Sequence, residues 1–572
     1  MSSPTLPCTL MRFADFEADL RANRLRRHGI RLKLFKQSFD VLAILLEHAG
    51  DVVTREELRR RLWPDDVYVD FENNLNTAVA RLREALGDTA GQPRFIETIP
   101  RCGYRFVAPV SEAAKPRLLV LPFVNLSGDP TQEYLSDAVT EELISVLANL
   151  APDQLAVIAR TTAMRCKRGA GSIAKIAQEL ALDYVIEGSV LRSGERITTN
   201  MQLIRSADET HLWANRYDAR MGETFAMESA AARAIAAQLG VITAPAAARA
   251  TVDPVTYDLY SKGRYHLFRA TPDHMAQARE YFEQAVARSP EFALAYDSLA
   301  ELYWYWGFLG FVPPRRSCSS GIYYAVRALE IENTLGETHA LLALYRKELS
   351  FDWAEVRREM DLARKLSPES PLVRTRYAMS CLLPPGRVEE AAAELEYALE
   401  SDPQSPFVHI WLGMMLWLAR RYDEALEQAR ILSKIDPEGY LSHFAAGLYY
   451  REQCKFDQAI AAHKRAVEVS GGSPLMLGWL GLALAQGDRR EEARAVLDRL
   501  HRIAQSAYVP PTSFAWIHLG LGEVDEAFVW MERAIEGRDQ MMTPIKTYPF
   551  FDPLRSDPRY VTLLVKMNLA TE

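Results

Sequence analysis

The stretch Asp70–Leu86, DFENNLNTAVARLREAL, decides how the amino-terminal part of the chain is read. Leu75, Val79, Leu82 and Leu86 recur at the spacing of a single apolar stripe on a helix. Asp70 stands where a helix is capped, and Gly87 follows its end. The other face and its flanks hold Asn73, Asn76, Thr77, Ala80 and Arg81. Such groups match base edges: amides suit adenine, a guanidinium suits guanine, and a methyl suits thymine. An amphipathic helix with a solvated polar face has the same stripe, so the flanking segments decide between the two readings.

Upstream, residues 10–36 alternate weakly and predict a small antiparallel sheet with a turn near Arg27-His28-Gly29. Ser38–His48 predicts a helix with Phe39, Leu42, Leu45 and Leu46 inward, stopped by Gly50. Thr54-Arg55-Glu56-Glu57 is a capping box opening a second helix, which Trp63-Pro64 ends. Downstream, Arg94–Thr98 and Tyr104–Val107 are β-like runs around a turn at Pro100-Arg101-Cys102-Gly103. Helix, helix, loop, helix and hairpin is the order of a winged helix-turn-helix.

The segments LRRRLWPDD, LNTAVARLREALGD and RFIETIPRCGYRF resemble the OmpR/PhoB-type DNA-binding domain, over roughly residues 8–109. The ending Arg101-Cys102-Gly103-Tyr104-Arg105-Phe106 resembles the family's R-G-x-G-Y-R pattern, with one residue, Cys102, between Arg101 and Gly103, and that residue is not the family's usual Gly. The resemblance implies a helix in the major groove with Asn74, Asn76, Thr77 and Arg81 nearest the DNA. It places Arg83 on a flank against phosphate, and Arg101 at the wing tip, in the adjacent minor groove or on its phosphates. Arg105 is carried over with the same ending. The Arg59-Arg60-Arg61 run divides evenly between phosphate contact and solvation. By resemblance, the loop around Trp63–Tyr68 contacts RNA polymerase. No receiver domain precedes this segment in the sequence, so switching by an aspartyl phosphate within the chain is not expected. Placing the winged helix first resembles the CadC or HilA subgroup.

At 572 residues the chain exceeds what one core can organise. Its net charge is −8, yet the first 112 residues carry 17 Lys and Arg against 16 Asp and Glu. A DNA-binding surface is therefore expected to be local and amino-terminal, with an acidic remainder held off DNA. Cys8, Cys102, Cys166, Cys318, Cys381 and Cys454 are scattered, without a C-x-x-C pair or a His cluster. Scattered thiols argue against structural zinc and fit a reducing cytoplasm. The amino terminus lacks a signal-peptide pattern, and the most apolar run, Phe407–Ala419, is too short to span a bilayer. A cytoplasmic protein without membrane contact is expected.

Residues 117–240 predict a compact α/β domain. Arg117–Val124 is a continuous apolar run, as in a buried strand, followed by a helix at Glu133–Leu150. Tyr184–Leu191 and Ile197–Ile204 are strands joined at a hairpin signal, His211–Tyr217 is another strand, and Thr224–Leu239 a helix. The stretches VLPFVNLSGDPTQEYLSDAVTEELI, YVIEGSVLRSGERI and HLWANRYDA resemble the TolB amino-terminal-type domain. Asn125–Pro130 lies between a strand and a helix, where α/β folds bind ligands, but it carries neither G-x-G-x-x-G nor a Walker lysine. Arg168–Ser172 reads as a turn with Ser172 as helix cap, and Asp137, Glu141 and Glu142 as a polar face rather than a metal site. No enzyme, cofactor or metal is expected.

After an Ala/Pro linker at 241–254, the sequence repeats. Ala391, Ala425, Ala459, Ala493 and Ala527 stand 34 residues apart, and Gly413, Gly447 and Gly481 keep the same interval. The period resembles the tetratricopeptide repeat. About eight units are expected over 255–540, with residues 541–572 as a cap. Trp304, Trp306, Trp411, Trp417 and Trp479 are candidate groove anchors, with core packing as their commoner use.

The fold class is multidomain α+β: an N-terminal winged helix-turn-helix, a central α/β domain and a C-terminal α-helical tetratricopeptide solenoid. The function expected is sequence-specific binding of double-stranded DNA in transcription regulation. RNA polymerase, an unknown protein, peptide or small ligand on the repeats, and homo-oligomerisation complete the expected partners. One rival is an interaction scaffold whose winged helix meets protein. Another is a nucleotide-processing regulator, which the missing phosphate-binding motif argues against.

Overall fold

The computed structural model describes residues 10–20, 24–27, 30–32, 34–62, 71–112, 115–167, 172–241, 252–269, 272–308, 310, 312–437 and 439–570. The turn at His28-Gly29, the helix cap Asp70, Cys8, the loop around Trp63–Tyr68 and the Arg168–Gly171 turn lie outside these residues. The chain divides into two compact units, one holding the amino-terminal domain and one holding the α/β domain with the repeats.

In the first unit, β1 (Leu10–Phe13), β2 (Phe16–Asp19), β3 (Arg24–Arg27) and β4 (Ile30–Leu32) form an antiparallel meander. Three helices follow: α1 (Lys36–Glu47), α2 (Arg55–Leu62) and α3 (Phe71–Leu86), with β5 (Val52–Thr54) between the first two. The sequence reading missed β5. A wing of β6 (Ile96–Ile99) and β7 (Gly103–Phe106) pairs with it in the order β5-β7-β6, and β8 (Ser111–Glu112) returns to β1. One half of the capping box forms: Glu57 N–H donates to Thr54 Oγ1 at 3.1 Å, while the Glu57 carboxylate pairs with Arg61 at 3.4 Å. Leu75, Val79, Leu82 and Leu86 are buried against Phe39, Leu42, Leu45 and Leu58. Phe13, Phe16, Phe95 and Phe106 close the other side of this core, with ring centroids as near as 4.9 Å. Gly103 admits no side chain, because a Cβ there would lie 2.0 Å from the Val53 carbonyl oxygen.

The second unit opens with a six-stranded mixed sheet. Its strands are β9 (Arg117–Val120), β10 (Val124–Asn125), β11 (Ala156–Val157), β12 (Tyr184–Ser193), β13 (Arg196–Arg205) and β14 (Thr210–Arg220). The order is β11-β9-β12-β13-β14, with β10 also on β12; β9 and β10 run parallel to β12, and the β12-β13-β14 pairs are antiparallel. Its helices are α4 (Glu133–Leu150), α5 (Arg160–Cys166), α6 (Ile173–Leu180) and α7 (Thr224–Gln238).

The repeats follow as antiparallel helix pairs: α8 (Pro254–Leu267) with α9 (Pro272–Arg288), α10 (Ala293–Phe308) with α11 (Pro314–Ile331), and α12 (Gly336–Ser350) with α13 (Trp353–Leu366). Next come α14 (Pro371–Tyr377), extended by a π-helical segment Ala378–Leu382, with α15 (Val388–Ser401), then α16 (Pro406–Leu418) with α17 (Tyr422–Ile435). The last pairs are α18 (Tyr440–Glu452) with α19 (Phe456–Val469), α20 (Pro474–Gln486) with α21 (Arg490–Ile503), and α22 (Pro511–Gly520) with α23 (Val524–Gly537). The five phased alanines are fully buried, and the phased glycines lie against Tyr449, His463 and Ile517, where a Cβ would clash. Small residues at these points let the helices approach closely.

The carboxy-terminal segment packs onto the first helices of the last repeats. Tyr548 and Phe550 meet Trp417 of α16, Trp479 of α20 and Trp516 of α22. The guanidinium of Arg451, on α18 between them, lies 5.0 Å from the Phe550 ring centroid. The final helix, α24 (Pro558–Lys566), ends where Trp353 Nε1 donates to the Met567 carbonyl at 3.1 Å and Asn568 donates to the Phe351 carbonyl. The segment thus ties the last repeats to the third. Trp304, Trp411, Trp417 and Trp479 are buried and Trp306 is half-buried, so core packing is the principal use of these rings.

The α/β domain is docked on the repeats by polar side chains rather than joined only through the linker. Arg264 of α8 donates to Glu141 of α4 at 2.6 Å and to Glu301 of α10 at 2.7 Å, and Arg160 pairs with Glu141 at 3.1 Å. Asp402, after α15, accepts from Thr162 N–H and Oγ1 at 3.1 and 2.7 Å, in the first turn of α5. Tyr134 donates to Asp258. The Asn125–Pro130 loop spends its polar groups on its own turn: Ser127 donates to Asn125, and Asp129 caps Thr131. No helix among the described residues is long and apolar enough to cross a membrane.

Candidate nucleic-acid interface

Helix α3 and the β6-β7 wing are held together by three polar devices. The first centres on Asn76. Its Oδ1 accepts from Tyr104 Oη at 3.0 Å and from Arg55 Nη2 at 3.3 Å, while the same Arg55 nitrogen donates to Tyr104 Oη at 3.1 Å. Arg55 also reaches Glu72 at 2.5 Å. Arginine carries donors only, so it fixes the orientation of the Asn76 amide: oxygen toward the protein, N–H groups outward.

The second device is Arg83, whose Nη2 donates to the Ile96 carbonyl at 2.7 Å and to Thr98 Oγ1 at 2.9 Å. The residue assigned by resemblance to phosphate is thus also a staple to the wing. The third is Asp88, just past Gly87. Its carboxylate accepts four backbone N–H bonds, from Thr89, Arg94, Phe95 and Ile96, at 2.7 to 3.1 Å. Burial pushes its carboxyl pKa up, and the four donors outweigh that and hold it below the usual carboxylate value. Arg55 and Asp88 were missed as site residues. The Gly-Asp pair after the helix is the available signal for Asp88, whereas Arg55 has no signal beyond its place in the capping box.

The other candidates are distributed around this frame. Thr77 is exposed, and its hydroxyl donates to the Asn73 carbonyl at 2.7 Å, which leaves its methyl and an oxygen lone pair outward. Arg81 is exposed beside the exposed ring of Phe35, 4.4 Å from its centroid. Asn74 is half-buried. Arg105 stands opposite Glu97 across the wing and pairs with it at 3.7 Å. Arg61 pairs with Glu47 and Glu57, so its charge is partly spent within the domain; Arg59 and Arg60 are exposed.

Arg101 is exposed at the wing tip with φ +63°, in the left-handed region that favours glycine. The tight turn is therefore made at Arg101, and Cys102 needs no glycine-only conformation. Among the described residues, no group of three or more His, Cys, Asp and Glu is arranged to hold a metal ion.

Residues 29–106 match the family described as "Transcriptional regulatory protein, C terminal". Residues 114–236, read above as TolB amino-terminal-like, match "HilA/YgeH-like transcriptional regulator, second domain". Residues 386–439 and 444–508 match "Tetratricopeptide repeat". The chain is 36% identical over 197 residues to "Putative adenylate cyclase 3" of Rhizobium meliloti, a match covering 34% of this chain and about a third (33%) of that protein. It is 24% identical over 409 residues to the transcriptional regulator HilA of Salmonella typhimurium, covering 68% of this chain and 70% of that one. Over 103 residues it is 33% identical to the phosphate regulon transcriptional regulatory protein PhoB of Rhizobium meliloti, covering 18% of this chain and 44% of that one. The chain is a DNA-binding transcriptional regulator with an OmpR/PhoB-type winged helix, a HilA/YgeH-like second domain and tetratricopeptide repeats.

Proposed function

We propose that α3 enters the major groove of duplex DNA with Asn74, Asn76, Thr77 and Arg81 toward base edges, while Arg101 reaches the adjacent minor groove or its phosphates. Arg83 serves mainly to hold helix and wing together and Arg105 to pair the two wing strands, with phosphate as their outward contact. The observation that carries this reading is the Arg55–Asn76–Tyr104 network, which fixes wing and helix in one frame beside the exposed Arg81 and Arg101. The repeats and the domain docked on them receive a protein, peptide or small ligand, and that binding alters DNA occupancy or contact with RNA polymerase. The match to regulator families over both amino-terminal domains supports regulation without catalysis.

Mobility shift of the full chain on genomic fragments, across a range of salt, tests this. Regulation by DNA binding gives sequence-selective, salt-dependent complexes. A scaffold whose winged helix meets protein gives none.

A further inference from the structure

Strand β14 is the outer strand of the second-domain sheet and, at eleven residues, the longest strand described. One edge pairs with β13 from Arg196↔Arg220 to Arg205↔Thr210. No described strand of this unit pairs with its other edge. Such an edge presents a row of backbone donors and acceptors to another strand; at its middle Arg216 N–H donates to Asn215 Oδ1 at 2.9 Å, a local bond that strand pairing replaces. Edges kept solitary are shortened, bulged, or set with charged residues, Lys above all, and Pro. The sequence THLWANRYDAR is long and has no Lys or Pro; of its charges Arg216, Asp218 and Arg220, the first two pair with each other. The run from Trp213 onward is regular, and the bulge lies near the strand's start, opposite Leu203/Ile204. There Gln238 caps the Leu212 carbonyl at 3.1 Å.

The strand is complementary to itself about its midpoint, Asn215. With a second copy antiparallel and Asn215 facing Asn215, Trp213 stands opposite Tyr217 of the second copy, and Tyr217 opposite its Trp213. Both rings are half-buried on the face of the sheet that carries the buried Leu203, Met201 and Thr199, with centroids 6.3 Å apart. Aromatic cross-strand pairs are among the favourable ones, and like charges directly opposite are unfavourable. On the other face, Arg216 falls opposite Ala214 and Asp218 opposite Leu212, so no like charges meet. Arg216 and Asp218 already neutralise each other within the strand at 3.2 Å.

We propose that two copies of this chain pair through β14, antiparallel about Asn215, joining their sheets into one. The assembly carries two winged helices, but the proposal does not rest on DNA binding.

The test is sedimentation of the full chain without DNA. Wild type should show a concentration-dependent dimer. Asn215 is exposed, so Asn215→Lys should leave the melting curve unchanged while setting like charges face to face, weakening the dimer about 100-fold. Asn215→Glu should do the same, and mixing the two variants should restore dimers. As a second readout, Asn215→Cys should give an intermolecular disulfide between the two 215 positions under mild oxidation, identified in the digested peptide. A wild type that stays monomeric, as it would if β14 served a peptide from another protein, overturns the proposal. So does a dimer indifferent to Asn215→Lys, a mixture that fails to recover, or a cross-link absent at position 215.

Discussion

Asn76 of α3 and Tyr104 of the wing are joined by a 3.0 Å hydrogen bond, and Arg55 occupies the remaining acceptor position of the Asn76 amide oxygen. Bidentate reading of adenine needs both an acceptor and a donor from the same amide. With its oxygen engaged, Asn76 offers donors only, which suit guanine O6 and N7 or thymine O4. Asn76→Ala should therefore cost about 1–3 kcal/mol at the cognate site, with the loss at a position bearing such an acceptor. It should also cost about 1 kcal/mol of domain stability through the broken network. Anisotropy titrations on base-substituted duplexes, beside hydrogen exchange of the wing, check both parts.

Arg83 and Arg81 should separate cleanly. Arg83→Ala removes the bonds to Ile96 and Thr98, so it should loosen the wing by about 1–2 kcal/mol, read by amide exchange of β6 and β7. Arg81→Ala should leave that exchange unchanged and lower cognate affinity, because its side chain is exposed beside Phe35.

Asp88 predicts a pH dependence. Its carboxyl pKa is lower in the folded domain than in the unfolded chain, so its stabilisation is fully present above about pH 4 and is lost as pH falls through the folded value. Asp88→Ala should remove this acid-side dependence and cost about 1–3 kcal/mol, since four backbone donors lose their acceptor. Acid titration of the amides of Arg94, Phe95 and Ile96 reports it directly.

Tyr548→Ala should destabilise the repeats by about 3–5 kcal/mol, because the ring is fully buried against Trp417, Trp479 and Trp516. Tryptophan fluorescence should shift to longer wavelength as these indoles meet water. An unchanged spectrum and melting temperature would show that the carboxy-terminal segment contributes nothing there.

The parts of this molecule legible in the sequence are those written in local period. The Leu75–Leu86 stripe, the Thr54 cap and the 34-residue alanine interval each follow from one element or one repeated pair of elements. The missed parts depend on contacts between residues far apart in the chain. Asn76 lies outside the apolar stripe and reads as free to meet bases, yet its oxygen is tied to residues 21 and 28 positions away. Arg83 reads as a phosphate contact because nothing in its own helix shows Thr98 within reach. The seating of α5 on Asp402 spans 240 residues, and α5 itself is too short to declare a period. Tyr548 and Phe550 fall within the expected cap, and their packing along several repeats joins residues too far apart for a local period to show.

Whether this winged helix reads duplex DNA through α3 and the wing tip is decided by full-chain affinity against salt on a duplex selected from genomic fragments. The measurement is made for wild type, Arg101→Ala and Asn76→Ala. A steep salt dependence is expected for wild type, with a slope reduced by about 1 for Arg101→Ala on every duplex and an Asn76→Ala loss concentrated on the selected one. Selection that enriches no sequence, or variants whose affinity and slope match wild type on all duplexes, would contradict it.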